Sequence, residues 1–278
     1  MLISEIFGRS VADTSSEAAA IRKAKQCPFR GTKCSKSSKS DPLGICSFSD
    51  GNEAAAVCPV RFLENDRIFK DAAKIAFGLG CTFSIFPEVK ILRVFANDSI
   101  QAKKIGKVDF LIGKIENETV TDFAALEVQA SYFSGKTIRP AFNYFLHNNR
   151  LDKKDSDRRP DFRSSAQKRL MPQLQLKVPV FRRWGKKFFV VVDTQFFGSM
   201  PVFKKSSLSN SEIIWLSYPI VSNGTAYTMN SPTVVGAHWD DVVTSLREGV
   251  APETREIFEE LQAKFTAKGA QRPRTITV

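Results

Sequence analysis

Three oxygen-bearing side chains in the middle of the chain have the types and the spacing to hold a divalent cation. Seventeen residues separate Asp109 from Glu127, and Gln129 follows two residues later. Residues i and i+2 of a strand project to one face, so Glu127 and Gln129 point together, and Asp109 joins them if the two strands pair. Two carboxylates so arranged can bind Mg²⁺, an ion that polarises a phosphodiester and activates water. Glu88 precedes the first strand candidate and could add a third carboxylate.

The pattern D-x17-E-x-Q resembles the PD-(D/E)xK nuclease signature with Gln in place of Lys. Asp and Glu are common residues, and the motif alone is also compatible with surface carboxylates at strand ends. A cationic block directly after Gln129 favours the metal site, because an enzyme that cuts DNA needs both features side by side.

That cationic block carries nearly all of the chain's net charge of +12. Residues 130–187 hold fifteen Lys or Arg against four Asp or Glu, a net charge of +11. Such concentration predicts a face for a polyanion, most often nucleic acid; the alternative is a solvated basic loop. Arg163 and Gln167 share a helix face, and these types read guanine and adenine in the major groove. The candidate DNA-binding residues are Arg158, Arg159, Arg163, Gln167, Lys168, Arg169, Arg182, Arg183, Lys186 and Lys187.

Four of the five cysteines cluster near the N-terminus, at Cys27, Cys34, Cys46 and Cys58. Clustered cysteines favour a metal over disulfides in an intracellular chain. Four thiolates can surround one tetrahedral zinc or iron ion, and a site closed by four protein ligands is structural. Residues 26–60 lack hydrophobic periodicity and have too little core to fold unaided, so they need a cross-link such as a bound metal. Four unrelated cysteines in a flexible loop would, however, give the same spacing. Cys81 stands apart and is predicted to be a buried apolar residue.

The elements that must position these residues alternate between strand and helix, which predicts a mixed α/β fold. Strands are predicted at 89–95, 105–112 and 123–129, with a turn at 116–118 between the last two, and at 188–193 and 212–218. Helices are predicted at 16–25, at 65–77 with Asn65 or Asp66 as its cap, at 161–171 with Asp161 as its cap and Pro172 as its end or kink, and at 238–247 and 252–268. We divide the chain into a cysteine module, 1–62, and a core, 63–278.

Together these residues are similar to the NotI-type type II restriction endonucleases. The similarity begins at Glu5-Ile6-Phe7-Gly8, follows the cysteine frame through Cys27-Pro28-Phe29 and Val57-Cys58-Pro59, and reaches Asp109 and Leu126-Glu127-Val128-Gln129. It covers roughly residues 5–200.

The resemblance implies a PD-(D/E)xK core beside a rubredoxin-like module that holds iron through the four cysteines. It also implies metal-ion catalysis by Asp109, Glu127 and Gln129, with Glu88 as a fourth member. Gln at the Lys position follows the family's own pattern. The chain looks shorter than the family's best-known member and its loops differ, so the recognition sequence does not carry over.

These features predict a Mg²⁺-dependent, site-specific endonuclease that acts as a homodimer on palindromic double-stranded DNA, and the resemblance implies that the site is GC-rich. A partner DNA methyltransferase is expected from a restriction-modification role. A metal-stapled nucleic-acid-binding protein without catalysis and a low-specificity repair nuclease are the alternatives. No apolar run approaches the length of a membrane helix, and no secretory signal is evident, so we expect a cytoplasmic bacterial protein without membrane contact.

Overall fold

A computed structural model describes residues 1–51, 53–94, 103–134, 137–151, 159–247 and 252–266, with 273, 275 and 276. It is a mixed α/β structure, as predicted. The strands are β1 Leu2–Ile6, β2 Arg9–Ser10, β3 Gln26–Cys27, β4 Thr32–Lys33, β5 Ile45–Ser49, β6 Ala54–Ala56, β7 Phe83–Val94, β8 Lys103–Glu116, β9 Thr119–Val128, β10 Phe133–Ser134, β11 Arg159–Pro160, β12 Phe188–Asp193, β13 Ile213–Tyr218, β14 Ile220–Ser222, β15 Tyr227–Met229 and β16 Thr233–Ala237.

Helices lie before, between and after these strands. They are α1 Ser16–Ala24, α2 Arg67–Phe77, α3 Arg139–Asn148, α4 Phe162–Ser164, α5 Met171–Arg183, α6 Thr194–Gly198, α7 Trp239–Arg247 and α8 Thr254–Thr266. A 3₁₀ helix at Pro59–Asp66 leads into α2, and a π-helical turn at Ser165–Leu170 joins α4 to α5.

A six-stranded mixed sheet, in the order β16-β13-β12-β9-β8-β7, forms the centre of the molecule. Strand β12 runs parallel to both β9 and β13, whereas β7, β8 and β9 form an antiparallel meander. The predicted hairpin between β8 and β9 is confirmed, with Asn117 and Glu118 at positive φ in its turn. Strand β12 reads Phe-Phe-Val-Val-Val-Asp and is wholly buried, as expected for a central strand covered on both faces.

Alternate residues of this sheet pack into two different cores. Phe188, Val190 and Val192 face the core that includes Leu174, Val178 and Phe181 of α5. Their neighbours Phe189 and Val191 face the core that includes Ile68, Phe69 and Ala72 of α2. The period of two along the strand thus fixes which side of the sheet each helix covers.

The N-terminal residues form a second sheet, in the order β2-β1-β5-β6. Strands β5 and β6 are fully buried and share a third core with α3. The prediction that residues 26–60 have too little core to fold unaided is therefore wrong for 45–56. The residues between Gln26 and Asp41 are mostly exposed and hold only the two-residue pair β3–β4.

Two helix-boundary predictions are also wrong. Helix α2 starts without a side-chain cap, because Asn65 and Asp66 adopt left-handed backbone conformations that turn the chain out of the preceding 3₁₀ helix. The helical segment begun by Asp161, whose side chain accepts from the Ser164 N–H as predicted, does not end at Pro172: a π turn interrupts it just before, and α5 begins at Met171. The π turn before Pro172 widens the backbone, so the ring avoids the clash that proline causes inside a regular helix.

No helix in the described part of the chain is long and apolar enough to span a membrane.

Candidate active site

Asp109 and Glu127 lie side by side on neighbouring strands. Phe110 of β8 pairs with Leu126 of β9, so the two carboxylates occupy the next positions along the antiparallel pair. The Val128 N–H donates to Asp109 Oδ2 at 2.9 Å, which fixes that carboxylate and leaves its other oxygen for a further ligand. Glu127 is 2% exposed. The hairpin between β8 and β9 is thus the device that brings the two acids together.

Burial gives both carboxylates raised pKa values. Burial and the charge of Asp109 raise the pKa of Glu127 to about 7, although Lys177 opposes this rise. Burial likewise raises the pKa of Asp109, and the Val128 N–H and Lys177 oppose it. Neighbouring buried carboxylates with raised pKa values are typical of functional sites, and a bound cation would stabilise their ionised forms.

Lys177 of α5 completes this cluster, and the sequence analysis missed it. Its Nζ donates to Glu127 Oε1 at 2.7 Å, to Glu127 Oε2 at 2.8 Å and to Gln173 Oε1 at 2.8 Å. The signal was available in the spacing, because Lys177 lies next to the buried stripe of Leu174 and Val178 on one helix. Ending the predicted helix at Pro172 concealed it.

A cleft of about 520 Å³ opens onto the two carboxylates. Asp109, Glu127 and Gln173 line its inner part. The N-terminal region supplies another wall through the exposed Arg30, together with Pro59 and Val60. Arg30 therefore places a cation within reach of any anion bound in the cleft, and the residues around the cysteines contribute directly to this wall.

The other two predicted members of the acidic constellation lie further out. Glu88 is at the rim of the cleft, exposed, with φ at +54°, and it pairs with Lys107 at 2.8 Å, which lowers its pKa. Gln129 lines an adjoining cleft that shares Gln173 with the first. Its side-chain amide donates to the Ala130 carbonyl at 2.6 Å.

None of the four clustered cysteines is paired in a disulfide. Cys27, Cys34 and Cys58 line one cleft of about 230 Å³ that also contains Arg30. Burial raises the pKa of Cys46, and the nearby charges of Glu5 and Cys58 raise it further. Burial also raises the pKa of Cys27, whereas the backbone amides of Phe29 and Arg30 favour its thiolate. Amides directed at a sulfur stabilise the form that binds metal.

Cys81 is half-buried and packs against the core that contains α2, and its sulfur lies 3.7 Å from the Ala73 carbonyl oxygen. Within the residues that the structure describes, no three His, Cys, Asp or Glu side chains are grouped as a metal site requires. Among these residues, therefore, neither the carboxylate pair nor the cysteine cluster forms a complete set of metal ligands.

The predicted basic face divides into two parts. Gln167, Lys168 and Arg169 are exposed on the π turn that precedes α5. The Arg169 guanidinium lies 4.2 Å from the centroid of the Tyr132 ring, and both residues line the cleft that contains Gln129. This part of the basic block therefore borders the candidate active site.

The second part lies at the far end of α5, and most of its charges have internal partners. Arg182 pairs with Glu212 at 2.7 Å, Lys186 pairs with Asp122, and Lys187 Nζ donates to three carbonyl oxygens between residues 208 and 211. Arg183 is exposed. Arg158 lies outside the described residues, as do the side chains of Arg159 and Arg163, whose backbones belong to β11 and α4.

Comparison with known proteins agrees with this geometry. The family model for the restriction endonuclease NotI matches residues 5–229, which is well over half of the chain. A search of curated proteins finds no match. The matched range includes the four cysteines, the hairpin with Asp109 and Glu127, and α5 with Lys177. The chain therefore belongs to the NotI restriction endonuclease family and is a type II restriction endonuclease that hydrolyses DNA.

Proposed function

We propose that this enzyme cleaves palindromic, GC-rich double-stranded DNA in a Mg²⁺-dependent reaction, as a homodimer and as part of a restriction-modification system with a DNA methyltransferase. Asp109 and Glu127 hold the metal, Gln129 orients water or phosphate, and Glu88 assists from the rim. The observation that carries the proposal is the pair of buried carboxylates on adjacent strands in one cleft. Members of restriction endonuclease families generally use Mg²⁺.

The donor set of this cleft fits a hard divalent cation. Mg²⁺ is bound in proteins through one or two carboxylates together with water and phosphate oxygens, which matches Asp109 and Glu127 at an open cleft. When bound, the ion polarises the phosphodiester and lowers the pKa of a coordinated water.

The protein's own groups have separate parts in the reaction. The Val128 N–H holds Asp109 through one oxygen, and Lys177 holds both oxygens of Glu127. Arg30 lines the same cleft, where it can pair with a phosphate oxygen. Water attacks phosphorus in line with the 3′ oxygen, a P–O bond to water forms, and the P–O3′ bond breaks. The products are a 5′-phosphate and a 3′-hydroxyl.

We also propose that the four cysteines hold a structural iron ion, for which zinc is the alternative. The support is chemical: none of the four is paired in a disulfide, three of them line one cleft, and backbone amides approach the Cys27 sulfur. Such a site would tie the exposed segment between Gln26 and Asp41 to the strands behind it. The division into a module, 1–62, and a core, 63–278, is part of the same proposal.

Metal content of the purified full chain tests the cysteine site. We expect about one iron or zinc per chain by elemental analysis, and its loss in Cys58→Ser. Cys81→Ser is the matched control, because Cys81 packs against a different core. Retention of metal by Cys58→Ser would contradict the assignment.

Exposed residues beside the cleft supply the DNA face. Gln167, Lys168 and Arg169 project from the π turn next to the cleft with Gln129. A homodimer presents this face twice, related by the two-fold symmetry of a palindromic site.

Digestion of sequenced plasmid and phage DNA, with and without Mg²⁺, tests the proposed function. We expect discrete, Mg²⁺-dependent fragments whose mapped ends give a palindromic, GC-rich site. A smear would indicate a low-specificity nuclease, and uncut DNA of shifted mobility would indicate a binding protein. Either of these results would overturn the proposal.

A further inference from the structure

A lysine buried against a catalytic carboxylate is the least expected feature of this cleft. Lys177 is 3% exposed and lies beside Leu174 and Val178 on α5. Its three ammonium protons have three acceptors within 2.8 Å, two on Glu127 and one on Gln173. The ammonium group is therefore fully hydrogen-bonded within the site, and the side chain is almost entirely removed from solvent.

Packing alone gives no reason to keep a charge at this position. Replacing a buried ion pair by apolar residues of similar volume is often neutral or stabilising. Although Gln173 on α5 bonds Lys177, the nearby Leu174 and Val178 are buried and apolar, so a methionine would pack against the same face. A charge retained there has a use other than filling space.

The strand that carries Glu127 supplies no cation of its own. The position two residues after Glu127, which the PD-(D/E)xK pattern gives to lysine, is occupied by Gln129. Its side-chain amide is neutral and donates to the Ala130 carbonyl. The helix packed on the same face of the sheet provides the missing ammonium instead, through Lys177.

We propose that Lys177, anchored by Gln173, is a positioning residue that supplies the cation absent from position 129 and holds Glu127 in its reactive orientation. The bidentate contact fixes the plane of the Glu127 carboxylate. Gln173 lines both clefts and restrains the ammonium from the cleft side. This inference rests on the proposed function of the same site.

The first test compares Lys177→Met with wild type and with Lys74→Met, an exposed lysine of α2. We expect Lys177→Met to lower the single-turnover cleavage rate by about 100-fold, the scale that loss of positioning near the reacting groups reaches. The affinity for duplex DNA in Ca²⁺ should stay within about threefold, since Lys177 is buried beneath the cleft. Lys74→Met should behave as wild type. Wild-type cleavage by Lys177→Met would overturn the inference.

Mn²⁺ affinity separates positioning from a merely structural role. Both Glu127 oxygens contact the ammonium, so removing Lys177 removes a like charge from beside the cation site. At pH 8.5, where the test is run so that Glu127 is ionised without its ammonium partner, Lys177→Met should therefore bind Mn²⁺ about fivefold more tightly while cutting more slowly. A damaged fold would weaken both properties. Weaker Mn²⁺ binding in a variant with a native circular dichroism spectrum would count against the proposal.

Relocating the lysine gives the sharpest test. Residue 129 lies two residues after Glu127 and lines the adjoining cleft, so Gln129→Lys in the Lys177→Met background supplies a side chain long enough to return an ammonium group beside Glu127. We expect this double variant to cleave at least about tenfold faster than Lys177→Met, whereas Gln129→Met in that background gives no gain. A folded double variant without rescue would refute the role of the charge.

These outcomes remain distinct from failure of the proposed function. If the wild-type chain cuts no DNA, the proposed function fails, and the Mn²⁺ measurement still decides whether Lys177 acts on Glu127. If the wild type cuts and Lys177→Met cuts equally well, only the inference about Lys177 fails.

Discussion

Buried Asp193, at the end of β12, should make the stability of the protein depend on pH, as should Glu127 in the cleft. Asp193 is fully buried, its Oδ1 accepts from the Phe196 N–H at 2.8 Å, and its Oδ2 accepts from the Ala56 N–H at 3.1 Å. It therefore caps α6 and joins the central sheet to β6 of the N-terminal sheet. Burial is the main cause that raises its pKa from 3.8 to about 7.

The sign of the effect follows from proton linkage. An acid whose pKa is higher in the folded state contributes stability below its unfolded pKa and loses it as the pH rises through the folded value. For Asp193 this window runs from 3.8 to about 7. Between pH 8 and pH 6 the folded state takes up most of one extra proton, which is worth about 1.4 kcal/mol. For a chain of 278 residues that corresponds to about 2–3 °C in Tm.

The assay is thermal unfolding of wild type and Asp193→Asn at pH 6 and pH 8, in EDTA and at constant ionic strength. The wild type should gain about 1.4 kcal/mol more than the variant on going from pH 8 to pH 6, because asparagine cannot titrate. Asp66→Asn, at an exposed position, should keep the wild-type response. An identical pH response in wild type and Asp193→Asn would refute the reasoning, whatever the absolute stability of the variant.

Two further predictions concern charges with different surroundings. Arg61 is fully buried and bonds Glu5 at 2.9 Å. Arg61→Met should therefore cost about 3–5 kcal/mol of unfolding free energy, measured by urea denaturation at pH 8. A loss below about 1 kcal/mol would show that the pair behaves like a surface ion pair. Arg169→Ala should weaken DNA binding and reduce the slope of log K against log salt by about 1. Arg182 already pairs with Glu212, so Arg182→Ala should change the slope less. Equal slopes for both variants would contradict the proposed DNA face.

Local sequence patterns were sufficient to predict much of the sheet. The apolar run of β12 was predicted with its observed limits, and the hairpin of β8 and β9 was predicted from a turn between two apolar segments. The juxtaposition of Asp109 and Glu127 follows from that hairpin, because its partners are close in the chain. The period of two then placed Glu127 on one face.

Features that depend on distant contacts were not predictable in this way. Strand β1 was missed because Glu5 interrupts its apolar pattern, and partners remote in sequence, Arg61 and Ser47, stabilise the buried carboxylate. The parallel pairing of β9 with β12 joins segments about sixty residues apart, and no local signal specifies it. Lys177 was missed for a related reason. A π turn lets the helical segment continue through Pro172 into α5, and the local sequence gives no sign that the proline clash is avoided.

Cleavage by Asp109→Asn tests the central claim, metal-ion catalysis in this cleft, most directly. Asparagine can still accept from the Val128 N–H, so the hairpin should remain intact and duplex binding in Ca²⁺ should stay within about threefold of wild type. With Mg²⁺, loss of one carboxylate ligand should slow single-turnover cleavage of a mapped site by about 1,000-fold, equivalent to about 4 kcal/mol, while Asp66→Asn cuts normally. Cleavage at the wild-type rate by Asp109→Asn would contradict the account and place the catalytic metal elsewhere.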